Sequence, residues 1–66
     1  MQIQLNGESF DTAEGATLEH LVEQLGLVGK RIAIELNMEI VPRGEHAETA
    51  LKAGDQVEVV HAIGGG

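Results

Sequence analysis

Hydrophobic positions along this chain change their period several times, and each change marks an element. Met1, Ile3 and Leu5 alternate with Gln2 and Gln4, the period of two that a strand with one buried face requires. Asn6-Gly7 follows, and because both residues tolerate positive φ the pair is a strong signal for a two-residue hairpin. A second strand is therefore expected from about Glu8 to Thr12, antiparallel to the first, with Phe10 on its buried face. Leu18, Leu21, Val22 and Leu25 then fall at i, i+3, i+4 and i+7, which places them on one stripe of a helix. Thr17 stands where an N-cap belongs, and Glu19 suits the positive end of the helix dipole. Histidine at position 20, where a reciprocal capping box has Glu or Gln, leaves that box incomplete. Gly26 suits the left-handed residue beyond the helix end, with Leu27 closing over the last turn.

The alternation returns at Ile32, Ile34 and Leu36, a third strand with the small Ala33 on its opposite face. Asn37-Met38-Glu39 reads as a turn, and the apolar pair Ile40-Val41 is a short strand stopped by Pro42. Glu45 to Leu51 is too short for an independent helix and predicts one or two tight turns. Gly54-Asp55 marks another turn, and Gln56 to Ala62 reads as the last strand with Val57 and Val59 facing inward. A single helix must lie across one face of the sheet to bury its stripe, so the class is α+β in two layers. A hairpin followed by a helical crossover is the arrangement of the ubiquitin-like β-grasp, here with a mixed sheet of four to five strands. The expected organisation is one domain over residues 1–63 and a flexible Gly64-Gly65-Gly66 tail.

Composition narrows the function more than the fold. A chain of 66 residues buries only about 60% of its unfolded surface and has a small core. It contains no cysteine, which removes disulfides, thiolate metal sites and cysteine nucleophiles at once. Eleven Asp and Glu against four Lys and Arg give a net charge of −7. That balance excludes a nucleic-acid footprint and disfavours an anionic membrane surface, whereas a partner protein with a positive face is complementary to it. There is no apolar run long enough to span a bilayer, and the first residues lack the cationic start and apolar stretch of a secretory signal. A cytoplasmic protein is expected.

The chemistry points to the last three residues. Glycine at about 7% average usage would fill three fixed positions by chance roughly 0.03% of the time, although this chain is richer than average with nine glycines. A terminal carboxylate is ionised and unreactive at neutral pH. To serve as an acyl donor it must be activated, most simply as an anhydride with AMP formed from ATP. Three extended residues reach about 10 Å, and without Cβ atoms they can thread a narrow channel where a partner's backbone approaches closely.

Three stretches, Asn37-x-x-Ile40-Val41-Pro42-Arg43, Gly54-Asp55-x-Val57-Glu58 and the closing Ile63-Gly64-Gly65-Gly66, resemble the bacterial sulfur carrier proteins of thiamine (thiazole) biosynthesis, within the ubiquitin-like β-grasp family. The resemblance covers essentially the whole chain. It implies that the protein is no enzyme and has no bound cofactor. An E1-like adenylyltransferase using ATP and magnesium would convert the Gly66 carboxylate to an acyl-adenylate. A persulfide sulfur, drawn from cysteine by a desulfurase, would displace AMP and leave a thiocarboxylate on Gly66, which thiazole synthase would consume. Gly65 and Gly64 would line the partner's tunnel, with Ile63 near its mouth. The molybdopterin sulfur carriers and ubiquitin-like protein modifiers share the diglycine ending, and a plain interaction module with an idle tail is a further alternative.

The remaining polar residues give no catalytic arrangement. Asp11, Glu14 and Glu19 fall on a strand, a loop and a helix and read as solvated charge. His20, His46 and His61 lack metal-ligand spacing and read as surface or edge residues, with Glu45, His46 and Glu48 the only grouping that suggests a weak ion site. Gly26-x-x-Gly29-Lys30 looks like part of a phosphate loop, but it follows a helix and precedes a strand, the reverse of the order that motif needs, so it is a connector. For partner docking the candidates are Val60, on the sheet face opposite Val57 and Val59, Ile63, and Arg43, whose simpler role is counter-charge to Glu45.

Overall fold

The computed structural model describes residues 1–61. Five strands and one helix appear in the order β1 (Gln2–Leu5), β2 (Glu8–Asp11), α1 (Leu18–Gln24), β3 (Ile32–Leu36), β4 (Glu39–Val41), a 3-10 turn (Arg43–Glu48) and β5 (Gln56–His61). The sheet order is β2-β1-β5-β3-β4. β1 and β2 form the predicted antiparallel hairpin, with Asn6 and Gly7 both at positive φ. β5 inserts parallel to β1 and antiparallel to β3, so the last strand of the chain is the middle strand of the sheet. This is the mixed five-stranded β-grasp.

The helix covers one face. Leu18 and Leu21 are fully buried together with Ile3, Ile34 and Val57, and Leu51 and Val59 complete the core. Phe10 faces that core beside Ile3, as its pairing requires, but it is only half-buried because β2 is a sheet edge. At the helix start the capping box is complete, contrary to the reading of position 20. The His20 amide donates to Thr17 Oγ1 at 3.2 Å, and the Thr17 amide donates to His20 Nδ1 at 3.2 Å. An unprotonated imidazole nitrogen supplies the acceptor that a glutamate would otherwise provide. At the other end Gly26 takes φ 72°, and the Leu27 amide closes on the Val22 carbonyl at 3.0 Å, the expected Schellman closure.

The 3-10 turn begins two residues earlier than expected and ends sooner. Pro42 at φ −60° sets its start, and the Thr49 hydroxyl donates back to the Glu45 carbonyl at 2.7 Å. The chain beyond it is extended and ties to the helix start through the Leu18 amide to Thr49 carbonyl bond at 3.0 Å and the Leu51 amide to Ala16 carbonyl bond at 2.8 Å.

Two asparagines bind the middle strand from either side. Asn6 Oδ1 accepts from the Val59 amide at 2.8 Å and its Nδ2 donates to the Val59 carbonyl at 3.3 Å. One side chain thus stands in for the next backbone residue of β1 after the chain has turned away. Asn37, also at positive φ, accepts from the Gln56 amide at 2.9 Å and donates to Asp55 Oδ1 at 3.1 Å. Asp55 is buried, and its second oxygen takes the Lys52 amide at 2.8 Å, which fixes the turn that delivers the chain into β5.

Replacing Asn6 with glycine keeps its positive φ and removes only the amide. It leaves the buried Val59 amide without a partner, and a loss of about 1–3 kcal/mol is expected, readable as a lowered midpoint in urea with an unchanged slope.

Candidate functional site

β5 carries two faces of different character. Val57 and Val59 enter the core, whereas Glu58 and Val60 stand on the face that no helix covers. Register sets their neighbours: Val60 lies opposite Ala33, Glu58 opposite Glu35, and Glu35 in turn opposite Ile40 of β4. Val60 is 57% and Ile40 71% exposed, two apolar side chains on an open sheet face beside a pair of carboxylates. Val60 therefore sits where the alternation placed it. Glu35 and Ile40 were not singled out in the sequence, although the same period-two pattern, carried across from β5 to β3 and β4, locates them.

Glu35 and Glu58 form a directly opposed like-charge pair, an arrangement that costs stability in an isolated sheet. Combined with a net charge of −7, this makes the exposed face an acidic surface with an apolar centre. Its natural complement is a protein surface carrying Lys or Arg around an apolar patch.

Arg43 belongs to neither this face nor an ion pair with Glu45. Its guanidinium donates to the Lys30 carbonyl at 2.8 Å and so ties the start of the 3-10 turn to the connector after the helix. That connector is the Gly26-x-x-Gly29-Lys30 segment, with Gly29 at φ 80°; it links α1 to β3 as expected. His46, expected at the surface, is buried, with Nε2 3.1 Å from the Val41 carbonyl. A carbonyl accepts only, so Nε2 carries the proton. Among the described residues, Glu45, His46 and Glu48 included, no group of three His, Asp or Glu side chains is placed to hold a metal. His20 and His61 are exposed.

Asp11 and Glu14 do come together. Both carboxylates lie 3.6 Å from the Met1 ammonium, which donates to the Thr12 carbonyl at 2.6 Å. They are 80% and 86% exposed, so the cluster holds the start of β1 and offers no acid–base pair. Glu19 is exposed on the helix. Gly66, Gly65, Gly64 and Ile63 lie outside the described residues, as does Ala62. No helix among the described residues is long and apolar enough to cross a membrane.

A mixed sheet covered by one helix, with the last described strand at its middle, defines a ubiquitin-like β-grasp protein. Comparison with known proteins narrows this: the ThiS family model matches residues 3–66, and the chain belongs to that family. The sulfur carrier protein ThiS of Escherichia coli is 36% identical over 66 residues, covering all of both chains. The crystal structure of a thiamine biosynthesis protein (ThiS) from Geobacter metallireducens superposes with a TM-score of 0.86 at 30% identity, again covering 100% of each chain. A thiazole synthase of Magnetococcus marinus is 46% identical over 66 residues. The chain spans only 20% of the length of that relative, and the same share of a thiazole synthase from Paramagnetospirillum magneticum.

Glu58→Gln removes one of the two opposed charges. A gain of about 0.2–1 kcal/mol is expected, seen as a thermal midpoint raised by a few degrees, with the gain shrinking as salt is added.

Proposed function

We propose that this protein is a sulfur carrier of thiamine biosynthesis whose working atom is the carboxyl carbon of Gly66. The observation that carries the reading is the family match, which runs unbroken from residue 3 through the terminal glycines on a β-grasp that superposes over its full length on a ThiS structure. The protein is a co-substrate and not an enzyme. An E1-like adenylyltransferase supplies the first step: a Gly66 carboxylate oxygen attacks the α-phosphorus of magnesium-bound ATP, an acyl–O–P bond forms, and pyrophosphate leaves. The terminal sulfur of an enzyme persulfide, charged from cysteine by a desulfurase, then attacks the carbonyl carbon and expels AMP. A thiol cleaves the resulting S–S bond, being oxidised to a disulfide as the thiocarboxylate is released on Gly66.

Thiazole synthase is the proposed acceptor. Two relatives bearing that name contain a stretch matching this whole chain within a polypeptide about five times longer. Joining a carrier to its consumer in one chain replaces a bimolecular encounter by a high effective concentration, which supports the thiamine branch over a molybdopterin acceptor. Gly65 and Gly64 thread the partner's active site because they present backbone alone, and Ile63 rests at its mouth. Val60, with Ile40 and the Glu35–Glu58 pair around it, forms the docking face. Arg43 contributes indirectly, through the connector it holds. ATP and cysteine-derived sulfur are intracellular reactants, so the setting is the cytoplasm.

Incubation with the cognate adenylyltransferase, ATP, cysteine and a desulfurase should raise the intact mass by the difference between sulfur and oxygen, whereas a chain lacking Gly66 should stay unchanged. An unchanged mass for the full chain, or higher-mass conjugates stable to reductant, would overturn the reading. Val60→Asp buries a charge against the partner's apolar patch and should weaken carrier binding by about tenfold or more, with folding retained because Val60 is already exposed.

A further inference from the structure

The Asn6-Gly7 pair carries chemistry as well as a turn. Asparagine is among the thermolabile residues, and the cause of its lability is local: the amide nitrogen of the following residue attacks Cγ and closes a five-membered imide. Glycine in that following position leaves the nitrogen unshielded, since it has no Cβ. Asn6 and Gly7 are both exposed, and a Cβ at Gly7 would meet no atom within 4 Å, so the turn stands open to solvent. What restrains the reaction is the fold. Both polar atoms of the Asn6 amide are held by Val59, 53 residues away, the Oδ1 by its amide at 2.8 Å and the Nδ2 by its carbonyl at 3.3 Å. For the ring to close, Cγ must swing back toward the Gly7 nitrogen, and that motion breaks both bonds. The chain supplies its own comparison. Asn37-Met38 repeats the left-handed turn, with φ 51° at Asn37 as at Asn6 and φ 73° at Met38, and the Asn37 amide is likewise anchored by two bonds. Met38, however, carries a Cβ that crowds the attacking nitrogen.

We infer that Asn6 is a deamidation site guarded by the β1–β5 seam, and that its modification weakens the seam that guarded it. No step of this rests on the carrier reading. When β5 parts from Asn6, the Gly7 nitrogen bonds to Cγ, the Cγ–Nδ2 bond breaks, and ammonia departs with the Gly7 amide proton. Water then opens the imide. Cleavage on the Cγ side gives aspartate, and cleavage on the backbone side gives isoaspartate, whose main chain runs through Cγ. Neither product restores the contact. Aspartate presents two acceptors and no donor, so one oxygen keeps the Val59 amide while the other meets the Val59 carbonyl, acceptor against acceptor. Isoaspartate lengthens the backbone by one carbon and shortens its side group by one, so the carboxylate no longer spans to β5. Either product leaves the seam to the backbone bonds of Gln4 and Asn6. Each opening of the middle strand thus carries a risk of permanent damage, and the damage makes further opening easier.

The test follows both asparagines in one chain. The natural protein is incubated in mildly alkaline buffer, with and without urea above its unfolding midpoint, and the amides at positions 6 and 37 are read by peptide mass spectrometry. In urea Asn6 should convert while Asn37 stays intact. Without urea the Asn6 rate should fall by about tenfold or more, the weight of the two bonds that opening must break. Equal Asn6 rates in the two conditions would overturn the inference, as would an Asn37 rate in urea that matches that of Asn6. The effect on the seam is read on the product. The aged fraction carries one negative charge beyond the −7 of the fresh chain, separates from it by ion exchange, and should unfold at a lower urea concentration. Asn6→Asp, made directly, should show the same lowered midpoint, and its failure to fold where the natural chain folds would count in the same direction. An aged fraction as stable as the fresh chain would overturn the claim that modification weakens the seam.

Discussion

The parallel pairing of the first and last strands is what the rest of this molecule depends on. β1 can bond to β5 over only a short stretch, through Gln4↔Gln56 and Leu5↔Val57, before the hairpin turns it away. The Asn6 amide extends that seam by one residue, and on the far side Asn37 and Asp55 secure the point where the chain enters β5. Val57, buried at the seam, places the aliphatic core directly beneath it. In a domain with a single aromatic residue and no disulfide, stability comes from small aliphatic contacts, and those contacts exist only while the middle strand is held in register. Buried polar groups follow the same logic, since every buried side-chain nitrogen or oxygen among the described residues finds a partner.

Holding β5 in this way separates anchoring from delivery. One face of the strand is committed to the core; the other offers Val60 beside the opposed pair Glu35 and Glu58. Opposed charges of one sign raise the energy of the free protein slightly and are neutralised when a basic surface arrives. The strain therefore lies on the face that no helix covers, where a surface of opposite charge would relieve it. Among its described residues the folded body assembles no metal-holding group. Its acidic residues are dispersed or, as with Asp11 and Glu14, gathered round the Met1 ammonium, and its buried histidine serves a carbonyl.

Local patterns were sufficient for most of the architecture. Alternation over Met1 to Leu5 and over Ile32 to Leu36, the Asn6-Gly7 turn, and the helical stripe from Leu18 to Leu25 each signal their element without reference to distant residues. What the sequence does not disclose is what a polar side chain does after the fold brings it a partner. Asn6 and Asn37 read as turn residues because their positive φ is a local property; their bonds to β5 span 53 and 19 residues and have no local signature. His20 violates the residue preference of a capping box yet satisfies its geometry, because hydrogen-bond capacity rather than residue name decides. The partners of His46 and Arg43 escape a reading of the sequence as well. The Val41 carbonyl reaches His46 only once the 3-10 turn has curled the chain back over five residues, and the Lys30 carbonyl reaches Arg43 only when that turn packs beside the helix connector. The open face was half-visible: alternation gives Val60, but pairing it with Ala33 and setting Glu58 against Glu35 requires the register between strands.

A middle strand that follows its four neighbours in the chain has a bearing on when the sheet can form. Until residues 56–61 have been added, β1 and β3 each lack the neighbour that covers an edge, and neither hairpin alone buries enough to persist. Contacts of such long sequence separation are slow to form, so the sheet orders only once the residues of β5 are present to join β1 to β3.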